Sequence, residues 1–156
     1  MNLTMFTDYS LRTLIYVAMK PEERLSNIQE IADVYGISAN HLMKSVHKLG
    51  KLGLIQTIRG RNGGFRLAKP PEEINIGWVV REMEENWNLV ECFDEQNGLC
   101  VLSPSCRLKN VLAEALKAYL AVLDKYTLAD LVVNRKALGA LLGMREAAKQ
   151  STSSDN

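Results

Sequence analysis

The residues best suited to chemistry in this 156-residue chain are its three cysteines, Cys92, Cys100 and Cys106. They stand as C-x7-C-x5-C in or at the edge of one stretch, residues 86–105, that lacks sustained periodicity and contains Asn97-Gly98 and Pro104. A loop of about twenty residues is long for a compact domain and points to function or disorder. An odd number of cysteines in a reducing compartment argues against a disulfide framework. Structural zinc takes four ligands and often shows C-x2-C spacing, which is absent. The two histidines, His41 and His47, lie far away in the sequence. Soft thiolates on a loop suit an iron–sulfur cluster, which tolerates varied spacing. Spacing alone leaves a cluster, zinc, a redox-sensing thiol set and inert cysteines all open.

The elements around this loop indicate what it would control. Thr7 reads as the cap of a first helix with Leu11, Leu14, Ile15 and Ala18 on one face, ended by Pro21. Ser26 with Gln29 gives a capping-box pattern for a short second helix. Tyr35-Gly36-Ile37 is a tight turn, and Ser38 then caps a third helix with Leu42, Met43, Val46 and Leu49 inside. That order is the helix-turn-helix pattern. Its outward residues are Ala39, Asn40, His41, Lys44, Ser45 and Lys48, placed to meet base edges and phosphates of a DNA major groove.

Strands at 54–58 and 64–67 follow, joined through Asn62-Gly63, a strong hairpin signal. The hairpin is expected to carry Arg59, Arg61 and Arg66 at its tip, as a basic wing that tracks phosphates or enters the minor groove. A helix at 76–84 precedes the cysteine loop. A long helix from Arg107 to about Lys125 follows it, with Leu108, Val111, Leu112, Leu116, Tyr119, Leu120, Val122 and Leu123 recurring every three or four residues. Such a stripe suits pairing with a second copy, and a dimer would match two-fold related half-sites. Thr127 with Asp130 starts a short further helix, and the tail from about residue 146 reads as frayed.

Charge agrees with this arrangement. Residues 1–70 hold 10 Lys/Arg against 5 Asp/Glu, and residues 71–156 hold 9 against 13. A basic N-terminal half suggests an anionic partner. The start MNLTMFTDYS lacks the basic and apolar regions of a signal peptide, and no apolar run reaches membrane-spanning length, so a cytoplasmic protein is expected. No phosphate-binding glycine loop, nucleophile elbow or suitably paired carboxylates point to an enzyme.

TDYSLRTLIYVA, ISANHLMKSVHKLGKLGLI, RGRNGGFRL and the cysteine loop followed by RLKNVL resemble a family of dimeric winged-helix iron–sulfur transcription regulators. The likeness covers roughly residues 1–135 and is nearest to the family's nitric-oxide-sensing branch. It implies that Cys92, Cys100 and Cys106 ligate an iron–sulfur cluster, one per subunit, with [4Fe–4S] preferred over [2Fe–2S]. It further implies that Asp8, from the other subunit, supplies the fourth ligand. Lys109 stands where the iron–sulfur biogenesis branch carries a histidine, which favours the nitric-oxide branch. Asp8 also has a purely local role open to it, as an acid in a helix's first turn with Arg12 at i+4.

The expected fold is therefore mainly α with a small β-hairpin wing: a winged helix-turn-helix domain plus a long dimerisation helix. Residues 1–70 form the DNA-binding region and 71–135 the cluster loop and pairing helix, within one regulator domain of about 2–131. Residues 136–156 form a partly flexible extension. The DNA-contacting set is Ser38, Ala39, Asn40, His41, Lys44, Lys48, Arg59, Arg61 and Arg66. The resemblance implies a repressor that leaves promoters of nitric-oxide detoxification genes when its cluster is nitrosylated. The alternative is a winged-helix regulator that senses iron–sulfur status or thiol oxidation. Neutralising Arg59, Arg61 or Lys44 should weaken binding to all DNA and flatten its salt dependence, by about 0.9 in log–log slope per phosphate lost. Changing Asn40 or His41 should instead alter operator preference, as competition binding across duplex sequences would measure.

Overall fold

A computed structural model describes residues 2–94, 96, 98 and 100–144. The expected frayed tail and Asn97 lie outside the described residues. Seven helices and one hairpin follow in order: α1 (Met5–Met19), α2 (Ile28–Tyr35), α3 (Ala39–Lys51), β1 (Ile55–Ile58), β2 (Gly64–Leu67), α4 (Ile76–Met83), α5 (Arg107–Leu123), α6 (Leu128–Leu131) and α7 (Arg135–Leu141). This is the winged-helix arrangement expected from the sequence. No helix among the described residues is long and apolar enough to cross a membrane.

Both helix starts predicted near the N-terminus move. Thr4, not Thr7, caps α1, and its side chain accepts the Thr7 N–H at 3.3 Å. Thr7 is fully buried one turn further in. Asn27, not Ser26, caps α2 through a reciprocal box with Glu30. Ser26 is withdrawn from capping because its backbone pairs with Phe65 in both directions, at 2.8 and 2.9 Å. That pairing lays the α1–α2 connection alongside the wing.

In the hairpin, Ile55 pairs with Leu67 and Ile58 with Gly64. The turn is closed by the Gly63 N–H donating to the Gly60 carbonyl at 3.0 Å. Its left-handed residue is Gly60, at φ 122°, and no described non-glycine residue has positive φ. The Asn62-Gly63 pair therefore marks the hairpin correctly but does not form the turn in the way expected of it.

One core serves the whole chain. Leu14, Ile31, Leu42, Leu49, Val79 and Leu128 are fully buried in a single cluster drawn from both halves of the sequence. The C-terminal half is stitched in by Leu128 N–H to the Ile74 carbonyl (2.8 Å) and Ile76 N–H to the Tyr126 carbonyl (2.9 Å). Arg81 grips Asp124 with two hydrogen bonds, at 2.5 and 2.8 Å, and so holds that carboxyl below the usual carboxylate range. The far end of α5 is thereby fixed to α4. By contrast, no residue along α5 is buried.

Helix α7 falls where the sequence suggested only an extension. It is anchored by Arg135, which donates to the Ala18 and Met19 carbonyls at 3.0 and 3.2 Å. The last turn of α1 has no basic residue of its own, so this remote arginine supplies the cation that a helix C-terminus favours.

A Cβ at Gly77 would collide with the Asp124 carboxylate and lie 2.8 Å from the Asp124 nitrogen. Helix propensity alone would make Gly77→Ala stabilising by about 1 kcal/mol. The close approach predicts the opposite sign, a loss of roughly 1–3 kcal/mol in urea unfolding.

Candidate metal centre and nucleic-acid interface

The segment from α4 to α5 presents all three cysteines as free, half-buried thiols. Cys92 lies in a 3-10 turn, Glu91–Phe93, closed by Phe93 N–H to the Val90 carbonyl at 3.0 Å. The chain then doubles back, with Gly98 N–H donating to the Asp94 carbonyl at 2.9 Å. A Cβ at position 98 would lie 2.6 Å from that carbonyl oxygen and 3.4 Å from the Cys92 Cα. Only glycine fits at this return, where position 98 lies against Cys92. The Cys100 carbonyl accepts Ser103 N–H at 3.1 Å, opening a second 3-10 turn, Ser103–Ser105. Cys106 then sits at the N-cap of α5.

The charge at this helix start is unusual. A helix N-terminus carries partial positive charge and normally attracts acids. The first turn of α5 has no acid and instead holds Arg107 and Lys109. Lys109 is half-buried and donates to the Ser103 hydroxyl at 3.5 Å. Two cations at the positive end of a helix are unfavourable there, and a neighbouring anionic group offsets that cost. Metal-bound thiolates are such a group.

Among the described residues no three His, Cys, Asp or Glu side chains converge as a metal-holding group. Asp8 faces solvent in the first turn of α1 and pairs with Arg12, at 2.9 and 3.1 Å. The donor set still fits an iron–sulfur cluster in chemical type: three soft thiols, none in a disulfide, on irregular backbone close to Arg107 and Lys109.

The expected DNA-contacting residues are distributed as follows. Ser38, Asn40, His41 and Lys44 are exposed along the first turns of α3, and Ala39 is half-buried. Ser38 makes no side-chain cap bond, but its carbonyl accepts from His41 and Leu42 N–H, both at 3.1 Å. His41 stacks on Tyr9 of α1, with ring centroids 6.3 Å apart. Lys48 is half-buried with its ammonium 5.7 Å from the Phe6 ring centre.

Two assignments on this helix are corrected. Ser45 points inward, is fully buried and donates to the Phe6 carbonyl at 3.4 Å. Met43, expected inside, is 53% exposed. Both corrections follow from α1 crossing α3 on the Ser45 side, where a small hydroxyl residue permits close approach and a methionine does not. In the wing, Arg59 and Arg61 are exposed at the turn. Arg66 is on β2 rather than at the tip, with its Nε donating to Gln56 across the hairpin at 3.2 Å.

One residue that no spacing pattern singled out joins these two regions. Glu84 ends α4 just before the cysteine loop and is 8% exposed. Its carboxylate accepts both the Thr4 N–H (2.6 Å) and the Thr4 hydroxyl (3.0 Å). The start of the loop is thus fastened to the start of α1, the helix that also supports α3. The contact spans 80 residues and leaves no local signature in the sequence.

Comparison with known proteins places this arrangement. The chain is 61% identical over 142 residues to the HTH-type transcriptional regulator NsrR of Shouchella clausii, covering 91% of this chain and 95% of that one. It is 60% identical over 146 residues to the NsrR regulator of Bacillus subtilis, covering 94% and 100%. Among solved structures, CymR, the global cysteine regulator of B. subtilis, matches with a TM-score of 0.70 at 27% identity, over 86% of this chain and 98% of that one. T. potens IscR shares the fold with a TM-score of 0.70 at 24% identity, over 88% and 90%. These relatives are named as regulators and not as enzymes. A model of the Rrf2 family, described as an iron-dependent transcriptional regulator, matches residues 3–134, and the chain belongs to that family.

Proposed function

We propose that this chain is a homodimeric DNA-binding repressor that senses nitric oxide through an iron–sulfur cluster held by Cys92, Cys100 and Cys106. The observation that carries this reading is the set of three free thiols on one loop, the last of them at a helix start that holds Arg107 and Lys109. The NsrR name of the relatives supports the same reading. Asp8 of the partner subunit is proposed as the fourth ligand, releasing its exposed pairing with Arg12 to do so. When bound, the cluster supplies irons that react with nitric oxide.

Pairing is proposed to run through α5. Leu108, Val111, Ala115, Ala118 and Val122 recur at spacings of three and four and are all exposed, with Leu108 at 63% and Val111 at 51%. The adjacent face of the helix, with Leu112, Leu116, Tyr119 and Leu123, is half-buried against its own chain. An alternating three–four seam is the pattern that buries itself in a second helix.

The route from loop to DNA is proposed to run through α1. Glu84 holds the Thr4 cap of that helix, and Asp8 lies in its first turn. The Phe6 carbonyl and the Tyr9 ring then meet Ser45 and His41 of α3. A change in what Asp8 binds therefore acts on the element that sets the recognition helix, giving the two states different DNA contacts. Residues 38–48 and the wing at 59–66 read the DNA, Arg59 and Arg61 from the turn and Arg66 from the strand. Residues 71–135 sense and pair.

Anaerobically purified protein should be brown and carry iron and sulfide, with native mass spectrometry giving a dimer and one cluster per subunit. Nitric oxide should lower operator affinity by roughly tenfold or more, about 1.4 kcal/mol. Affinity unchanged by nitric oxide in cluster-loaded protein would refute the sensing mechanism. Replacing Val111 by Glu should convert the dimer to monomer in sedimentation and abolish tight operator binding, while leaving the helical content intact.

A further inference from the structure

A cleft of about 600 Å³ opens at the root of the wing, on the side where the α1–α2 connection runs along β2. Five cations from separate parts of the chain line it: Lys20, Arg24, Arg66, Lys69 and Arg135. Glu22 is the one acid in its lining. Two of the cations are already occupied. Lys20 pairs with Glu30, and Arg135 holds the carbonyls at the end of α1. Arg66 bonds only to a neutral partner, Gln56. The side chains of Arg24 and Lys69 make no hydrogen bond or ion pair among the described residues.

The cleft is thus strongly positive with most of its charge uncompensated, and its apolar wall includes Val17, Leu67 and Pro71. Its volume is in the range of small-molecule sites. Guanidinium groups recognise phosphate through paired N–H donors. Surface cations usually intersperse with acids, and five converging on one concavity from α1, its following turn, β2, the segment after the wing and α7 do not. Lys20 and Arg24 also line a second hollow with Glu23, Asn62 and Gly63, so the concave surface continues up to the wing turn.

We propose that this cleft is a phosphate-binding site, separate from the cysteine loop and from the exposed face of α3. The phosphate has two sources of the same chemistry: the DNA backbone flanking the operator, or a free phosphate ester that sets the posture of the wing. Occupancy would draw Arg24 and Lys69 together across the wing root and couple the α1–α2 connection to β2.

The test uses the cluster-loaded dimer and the double variant Arg24→Gln, Lys69→Gln. Neither side chain packs in the core, and circular dichroism with thermal unfolding checks that the variant is folded. In one arm, fructose 1,6-bisphosphate serves as a probe of two phosphate monoesters and is titrated calorimetrically at constant ionic strength. In the other, operator affinity is measured against salt on a duplex ending at the operator and on one extended at both ends. Saturable binding of the bisphosphate, weakened roughly tenfold or more in the variant, assigns the site to a free phosphate compound. A salt slope steeper on the extended duplex, by about 0.9 for each added phosphate contact and lost in the variant, assigns it to DNA. Neither effect in the unaltered protein, or either persisting undiminished in the double variant, overturns the proposal.

Discussion

The rest of the molecule depends on how closely its first helix can be approached. Thr7, Ser10 and Thr13 of α1 are completely buried although each carries a hydroxyl. Burying an unpaired hydroxyl is costly. Here Ser10 donates to the Phe6 carbonyl at 2.7 Å and Thr13 to the Tyr9 carbonyl at 2.8 Å, while Thr7 lies 3.1 Å from the Thr4 hydroxyl. The helix thus satisfies its own polar groups and presents a narrow surface to its neighbours. Helix α3 packs on it closely enough for Ser45 to bond its backbone, while Leu14 fills the centre of the core. Bulkier residues at 7, 10 and 13 would push α3 and α4 outward together.

This explains which parts of the fold were legible in the sequence. Apolar periodicity identified α1 to α4 because each buries residues of its own, and α5 through a stripe that stays exposed or half-buried, while Thr127 with Asp130 marked α6. The caps were displaced by contacts that local patterns do not encode. Thr4 and Thr7 are chemically alike, and the choice between them is made alongside a Glu84 contact 80 residues away. Ser26 lost its capping role to a bridge with Phe65. Helix α7 docks through an arginine on two carbonyls rather than through a long apolar stripe, so periodicity gave it little weight. Ser45 reads as an outward polar residue by type, and only the crossing of α1 over α3 turns it inward.

The candidate site was legible in a different way. Cysteine count and clustering are properties of the chain itself and needed no fold to be seen. What the fold adds is electrostatic context: Cys106 begins α5, and the cations of that first turn stand against the helix dipole. A seventeen-residue helix with no buried residue, and an acid at position 8 paired only with Arg12 at the surface, are the two observations on which the proposed pairing and ligand exchange rest. The family match and the regulator relatives agree with that picture without depending on it.

The bonds that join Ile74 and Ile76 to Leu128 and Tyr126 have a consequence for synthesis. They close a long excursion that contains the cysteine loop and α5, and they bring Leu128 and Val132 into the core beside residues from the first fifth of the chain. Closing so distant a contact is entropically slow compared with forming α1 to α3 and the wing, whose partners are nearby in sequence. During translation the N-terminal half emerges first, as domains generally do. That half nevertheless keeps one wall of its core open until Leu128 and Val132 have docked. The cysteine loop is therefore synthesised before the core beneath it has closed, and in that interval its three thiols are more accessible than in the finished fold.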